Sequence, residues 1–304
     1  MMNETYRGQV SLLLSVLPEI AKEKCFALHG GTAINLFVRE MPRLSVDIDL
    51  TYLPIEDRKT SLDNVSDALE RIQGRILTAL PKAKVQHQME VSKLQVSNRS
   101  FQVKVEVNQT NRGVLSDPVE YQLCEKAQDQ FDAFCSIPVV PLSQLYGGKI
   151  CAALDRQHPR DLFDVKYLLQ NEGIIDEIKK GFLLSAISSN RPIHELLQPN
   201  LQDQRSAFEN QFSGMTAEPF TYDDFEATRN ALISKISESW TDPDKQFLIG
   251  FSKLEPDWGI YDFERFPSVQ WKIQNLTRLK RYNPNKHGEM VGLLEKSFSE
   301  KCKV

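Results

Sequence analysis

The chain is expected to be α+β, with its strands confined to the first half and a helical lobe filling the second. Three patterns carry this expectation. Apolar residues recur at helical spacing over residues 6–24, through Val10, Leu13, Leu14, Leu17 and Ile20. The pattern switches to period two at residues 46–51 and again within 83–108. From residue 141 helical periodicity returns and continues through polar loops toward the end of the 304 residues.

Taken in order, the first helix leads into a short strand, Phe26-Ala27-Leu28, that feeds Gly30 and Gly31. Residues 33–39 form the next helix, with Ile34, Leu36 and Phe37 available to the core. The chain turns at Pro42 and enters the strand Val46-Asp47-Ile48-Asp49-Leu50. Asp47 and Asp49 are two apart, so both carboxylates leave one face of that strand while Val46, Ile48 and Leu50 leave the other. Their Cα atoms would lie roughly 6.5–7 Å apart, within reach of one divalent cation. Upstream, the glycine pair lets backbone approach a ligand closely, and a helix starting near Thr32 offers free N–H groups to phosphate. A phosphate cradle followed by metal-binding carboxylates points to a nucleoside triphosphate. A longer helix starts at Pro54-Ile55-Glu56-Asp57 and ends near Leu80-Pro81. In the strand that closes the next segment, Val103, Val105 and Val107 face one way and Lys104, Glu106 and Asn108 the other.

The Gly-Gly-Thr opening followed by an Asp-x-Asp strand resembles the signature of the DNA polymerase β-like nucleotidyltransferases. The wording GGTAINLF…RLSVDIDL is similar to the AbiEii-type toxins of type IV toxin–antitoxin and abortive-infection systems, a branch that includes the MenT tRNA-modifying toxins. That resemblance implies a mixed sheet flanked by helices, and a third metal carboxylate on a strand beside the aspartates. Glu106 is the acid best placed for that role, although an edge strand's solvent face would look the same.

A second block, PLSQLYGGKICAALDRQHPRDLFDVKYLL, resembles the K-x-x-A…R…RD-x-x-D stretch of the same branch. It is helical, broken at His158-Pro159, then helical again. The resemblance makes Lys149, which would neutralise phosphate charge, and Asp161 active-site groups, with Asp164 a further candidate, and gives Arg156 and Arg160 to the nucleotide phosphates, which guanidinium groups bind as a fork. Structural alternatives stand beside this: Lys149 as a solvated helix lysine, Asp161 as a helix cap, and Asp164 paired with Arg160 one turn away. Segments such as RPIHELLQPN, EPDWGIYDF and VQWKIQNL extend the likeness over nearly the whole chain. Further helices are expected at residues 174–188, 223–239 and 244–252, the second capped by Thr221 or Asp223. Residues 1–170 then make the nucleotidyltransferase core and 171–304 the mainly helical second domain.

Apolar content of 41% and charged content of 26% are ordinary for a globular protein. A net charge of −4 offers no global attraction to nucleic acid, so an RNA substrate needs a local basic patch. The tail supplies Lys272, Arg278, Lys280, Arg281 and Lys286 with Trp271, Tyr282 and His287 interleaved, either an RNA-facing surface or an ordinary helix with a core tryptophan. Five dispersed cysteines without a Cys-x-x-Cys favour reduced thiols in a cytoplasmic protein, and the run 10–17 is too short to span a bilayer.

The resemblance thus implies a nucleotidyltransferase toxin that uses two Mg2+ ions held by Asp47, Asp49 and Glu106, with Gly30, Gly31 and Thr32 on the triphosphate. Its acceptor would be RNA, a tRNA 3′ end, and its partner a cognate antitoxin. Two other readings fit the residues: a nucleotide-binding regulator that transfers nothing, and a transferase for a small-molecule or protein acceptor.

Overall fold

The computed structural model describes residues 3–299, which leaves Cys302 outside the described residues. The chain divides into two compact units, Met1–Pro141 with Phe212–Pro219, and Leu142–Gln211 with Phe220–Val304. Residue 170, where the sequence places a domain boundary, lies at the end of a helix inside the second unit.

The first unit opens with α1 (Glu4–Ile20), β1 (Phe26–His29) and α2 (Gly30–Ala33), which continues as a π-helical turn over Ile34–Val38. β2 (Asp47–Tyr52) and α3 (Arg58–Ala79) follow, then β3 (Lys84–Gln88), β4 (Lys93–Ser97) and β5 (Gln102–Val107). β6 (Val119–Gln122), α4 (Glu125–Phe131) and β7 (Ser136–Val139) complete it. The strands form one mixed sheet in the order β3-β4-β5-β2-β1-β7-β6, parallel at β2/β5 and β1/β7 and antiparallel elsewhere. Alternation decides its faces. Ile48, Leu50, Leu94, Val96, Val103, Val105 and Val107 are buried, whereas Asp47, Asp49, Lys93, Lys104 and Glu106 are not.

Two long helices pack on this sheet, α1 against β5 and β7, α3 against β3 and β4. Their apolar stripes, Val10, Leu13 and Leu17 on α1 and Val65, Leu69, Ile72 and Ile76 on α3, are fully or almost fully buried. Glu23, just past α1, locks the pair: Arg71 reaches it through Nε and Nη2 at 3.1 and 2.8 Å, and Arg75 through Nη2 at 2.8 Å. α3 begins where a capping residue permits, with the Asp57 carboxylate accepting the Thr60 N–H at 3.0 Å.

The second unit is helical: α5 (Leu142–Arg156), α6 (Pro159–Gln170), α7 (Asp176–Ser188), α8 (Ile193–Leu197), α9 (Arg205–Ala207), α10 (Tyr222–Glu238), α11 (Asp242–Lys253), α12 (Pro267–Tyr282) and α13 (Pro284–Ser299). α5 crosses α7 at Gly147 and Gly181, and the approach is close enough to require both. A Cβ on Gly147 would stand 2.1 Å from the Gly181 carbonyl carbon, and one on Gly181 1.8 Å from the Ser143 oxygen. α6 packs on α5 and α10. The chain breaks between α5 and α6 at Gln157, a non-glycine residue at φ 50°. Its buried amide is satisfied by the Asn200 oxygen (2.8 Å), the Gln202 N–H (3.0 Å) and Arg229 Nη1 (3.1 Å). Capping boxes start α10 at Thr221 and α11 at Thr241. Among the described residues no helix is long and apolar enough to cross a membrane.

Candidate active site

In the first unit the site is built at the end of β1. Gly30 sits at φ +73°, a conformation that side chains rarely adopt, and a Cβ there would lie 2.3 Å from Asp49 Oδ2. The glycine therefore lets the turn pass directly against the carboxylate. Gly31 is crowded on another side: its Cβ would lie 2.7 Å from Arg43 Nη2 and 3.0 Å from Ser45 Oγ. Thr32 is fully buried; its hydroxyl donates to the Asp47 carbonyl and lies 3.0 Å from the Ser45 hydroxyl. Its side chain thus ties the start of α2 to the start of β2, leaving only its backbone to a ligand.

Strand register fixes what surrounds the aspartates. Asp49 is paired with His29 on β1 and Glu106 on β5, and Glu106 with Lys93 on β4. Directly opposed residues on neighbouring strands share a face. His29, Asp49, Glu106 and Lys93 therefore form one row across the sheet, and Asp47 and Lys104 begin the next. Glu106 forms an ion pair with Lys93. Among the described residues, no group of three or more His, Cys, Asp or Glu side chains is arranged to hold a metal ion. Asp47 and Asp49 thus share a face with Glu106, whose carboxylate is engaged by the lysine.

The stretch leading into β2 is braced by the returning segment Phe212–Pro219. Arg43 forms a bridge with Thr216, the Leu44 N–H donates to the Met215 oxygen at 2.7 Å, and Thr216 Oγ1 donates to the Pro42 oxygen at 3.2 Å. Arg43 itself is buried, with Nη1 on the Leu44 oxygen at 2.9 Å. The sequence offers one hint of it, a basic residue set between the glycine pair and the aspartates. Lys93 gives no such hint, because its place in the row depends on strand pairing.

The second unit gathers the other expected residues at the α5–α6 junction. Lys149 Nζ lies 2.9 Å from Asp161 Oδ1 and 3.1 Å from Asp164 Oδ2, and all three side chains are buried. Arg156 grips the Asp161 carboxylate as well, Nε to Oδ2 at 2.6 Å and Nη2 to Oδ1 at 3.1 Å, while its own side chain is 62% exposed. Formal charges cancel over these four groups. Burial alone would raise the Asp161 pKa, but Lys149 and Arg156 outweigh it and hold the carboxyl well below the usual range.

The geometry answers two of the structural alternatives. The cap of α6 is His158, whose Nδ1 accepts the Arg160 N–H at 3.1 Å, and Asp161 stands in the first helical turn. Lys149 is no solvated lysine, since it is buried against Asp161 and Asp164. Asp164 reaches it across from α6 to α5. Arg160, half-buried, follows Pro159 at the same helix start.

The basic tail separates into two groups. Lys272 is buried, with Nζ donating to the Ser189 oxygen at 2.6 Å and the Arg191 oxygen at 3.1 Å, and burial pushes its pKa down to about 8. His287 is buried too and meets the Ser252 oxygen at 2.9 Å. Neither can serve an outer surface, which corrects their inclusion in an RNA-facing set. Arg278, Lys280, Arg281 and Lys286 are all exposed, with Tyr282 at 75% and Trp271 at 48%, so Trp271 is not a core residue. The Arg281 guanidinium lies 5.6 Å from the Tyr282 ring centre.

Known proteins share this fold. Among solved structures, the chain is similar to MenT4, a nucleotidyltransferase toxin from Mycobacterium tuberculosis H37Rv, with TM-score 0.61 and 13% identity over 95% of this chain and 93% of that one. No curated protein matches. The model of the family described as "Nucleotidyl transferase AbiEii toxin, Type IV TA system" matches residues 11–275. The glycine turn, the Asp47–Asp49 strand and the α5–α6 junction all fall within that span, and the chain belongs to the AbiEii family of nucleotidyltransferase toxins of type IV toxin–antitoxin systems.

Proposed function

We propose that this enzyme is a divalent-metal-dependent toxin that transfers a nucleotide from a nucleoside triphosphate to RNA, at a tRNA 3′ end, in the cytoplasm. The observation that carries the reading is the pair Asp47 and Asp49 on one polar face of β2, with the Gly30 turn packed against the Asp49 carboxylate. Two carboxylates with oxygen-only donors fit a hard cation such as Mg2+, and Glu106, next to Asp49 in the same row but paired with Lys93, would be the third ligand once it left the lysine. Magnesium bound there would supply Lewis-acid activation of the attacking hydroxyl and neutralise charge on the departing pyrophosphate.

The chain's own groups bind and orient. Backbone at Gly30, Gly31 and Thr32 would face the triphosphate, and the Arg43 guanidinium packs beside Gly31. Arg156 and Arg160 offer guanidinium groups to phosphate oxygens. Lys149 and Asp161 act through Arg156: Asp161 holds its Nε and one amino group, and Lys149 balances the buried carboxylates. The cations Arg278, Lys280, Arg281 and Lys286, with Tyr282 and Trp271 beside them, support RNA as the acceptor. Membership of the family implies a cognate antitoxin as partner.

The test incubates the protein with each labelled triphosphate, Mg2+ and total RNA, then divides the label by ribonuclease and protease treatment. Ribonuclease-sensitive label is expected. Replacing Arg278, Lys280, Arg281 and Lys286 by Gln should weaken labelling and flatten its salt dependence, by roughly 0.7–0.9 in log–log slope for each phosphate the protein no longer neutralises. Protease-sensitive label, or none, would refute the RNA acceptor.

A further inference from the structure

The row His29, Asp49, Glu106, Lys93 places Glu106 between a carboxylate and an ammonium group. Attraction to Lys93 draws the Glu106 carboxylate toward β4. The two members of the ion pair are shielded unevenly: the Lys93 side chain is 20% exposed and that of Glu106 44%. A third carboxylate thus stands in register with the aspartate pair, but its negative charge is already answered from within the sheet.

We propose that Lys93 is an internal counterion that holds Glu106 in reserve, and that a divalent cation arriving at Asp47 and Asp49 must take Glu106 from it. The inference rests on the assignment of Asp47 and Asp49 as metal ligands. Its physical basis is a competing charge: a cation beside Asp49 would attract Glu106 from the side opposite Lys93. The lysine then sets metal affinity by competing for one carboxylate, and its ammonium, released from Glu106, is left on the polar face where triphosphate charge would accumulate. Lys93 is thereby a positioning residue, since it acts through Glu106.

The test is Mn2+ titration of the full-length protein by calorimetry, with no substrate and no turnover. Lys93→Met keeps the side-chain stem and should tighten Mn2+ binding about three- to tenfold, the scale of a partly exposed ion pair together with one removed positive charge. In a Glu106→Gln background the same substitution should have no more than a small fraction of that effect, because nothing is left to release. Lys93→Gln serves as a second variant should Lys93→Met melt early. Equal tightening with and without Glu106, or none at all, would overturn the inference while leaving the metal assignment intact. Mn2+ binding unaffected by the combined Asp47→Asn and Asp49→Asn changes would overturn both.

Discussion

Replacement of Lys149 by Ala should damage the second unit before it damages any single chemical step. The Lys149 ammonium is buried with Asp161 at 2.9 Å and Asp164 at 3.1 Å, and Arg156 holds Asp161 from the side nearer solvent. Removing the lysine takes from both buried carboxylates the cation that they share. Breaking a buried pair from one side costs about 3–5 kcal/mol. At roughly 2–4 °C per kcal/mol for a chain of this size, the melting temperature should fall by about 6–20 °C. Adding Asp161→Asn and Asp164→Asn to Lys149→Met removes the carboxylate charge that the lysine balanced and should recover much of that deficit. Thermal unfolding followed by circular dichroism checks both. A Lys149→Ala protein that melts within about 2 °C of wild type would show that Asp161 and Asp164 do not depend on the lysine for their charge balance.

Other substitutions probe separate joints. Gly30→Ala adds roughly 1–2 kcal/mol of backbone strain at φ +73° and drives a methyl group to within 2.3 Å of Asp49 Oδ2. The side chain must move, so Mn2+ affinity should fall further than stability does; calorimetry beside a thermal melt separates the two. Gly147→Ala meets the backbone of α7 at 2.1 Å, which cannot yield as a side chain would, and should cost at least the ~1–3 kcal/mol of an overpacked core in urea unfolding. Lys272 binds its proton less tightly folded, at about 8, than unfolded near 10.5, so the unfolded chain holds more protons between those values. Stability should therefore rise across that interval as pH rises, and Lys272→Met should remove this component of the slope in melts from about pH 7.5 to 10.5.

The fold is legible wherever local pattern decides it. The alternation around Asp47 and Asp49, the Gly-Gly turn, the α3 start at Asp57 and the α10 cap at Thr221 all depend on residues close in sequence. β6, α4 and β7 do not stand out, because strands of four residues, Val119–Gln122 and Ser136–Val139, carry too few alternations. Pairing lies beyond what the letters show. The Glu106–Lys93 ion pair follows from the β4/β5 register, and the burial of Lys149 follows from α6 turning back on α5 after Gln157. Lys272 shows the same limit: its letters read as a basic surface, yet two backbone oxygens past the end of α7 take it inward. The first unit also closes with Phe212–Pro219, a return that no linear pattern announces.

If the Asp47–Asp49 pair controls transfer of a nucleotide, the phosphate that carries the label onto RNA reveals it. Parallel reactions with RNA, Mg2+ and triphosphate labelled at the α- or the γ-phosphate would be run with wild-type protein and with Asp49→Asn. Attack at the α-phosphorus forms a bond to the acceptor oxygen and breaks the α–β bridge, releasing pyrophosphate. With wild-type protein the α-label is expected on RNA and the γ-label only in pyrophosphate; with Asp49→Asn, which keeps the shape of the side chain without its charge, neither is expected. RNA labelled from the γ-phosphate, or α-labelling by Asp49→Asn at the wild-type rate, would contradict this expectation.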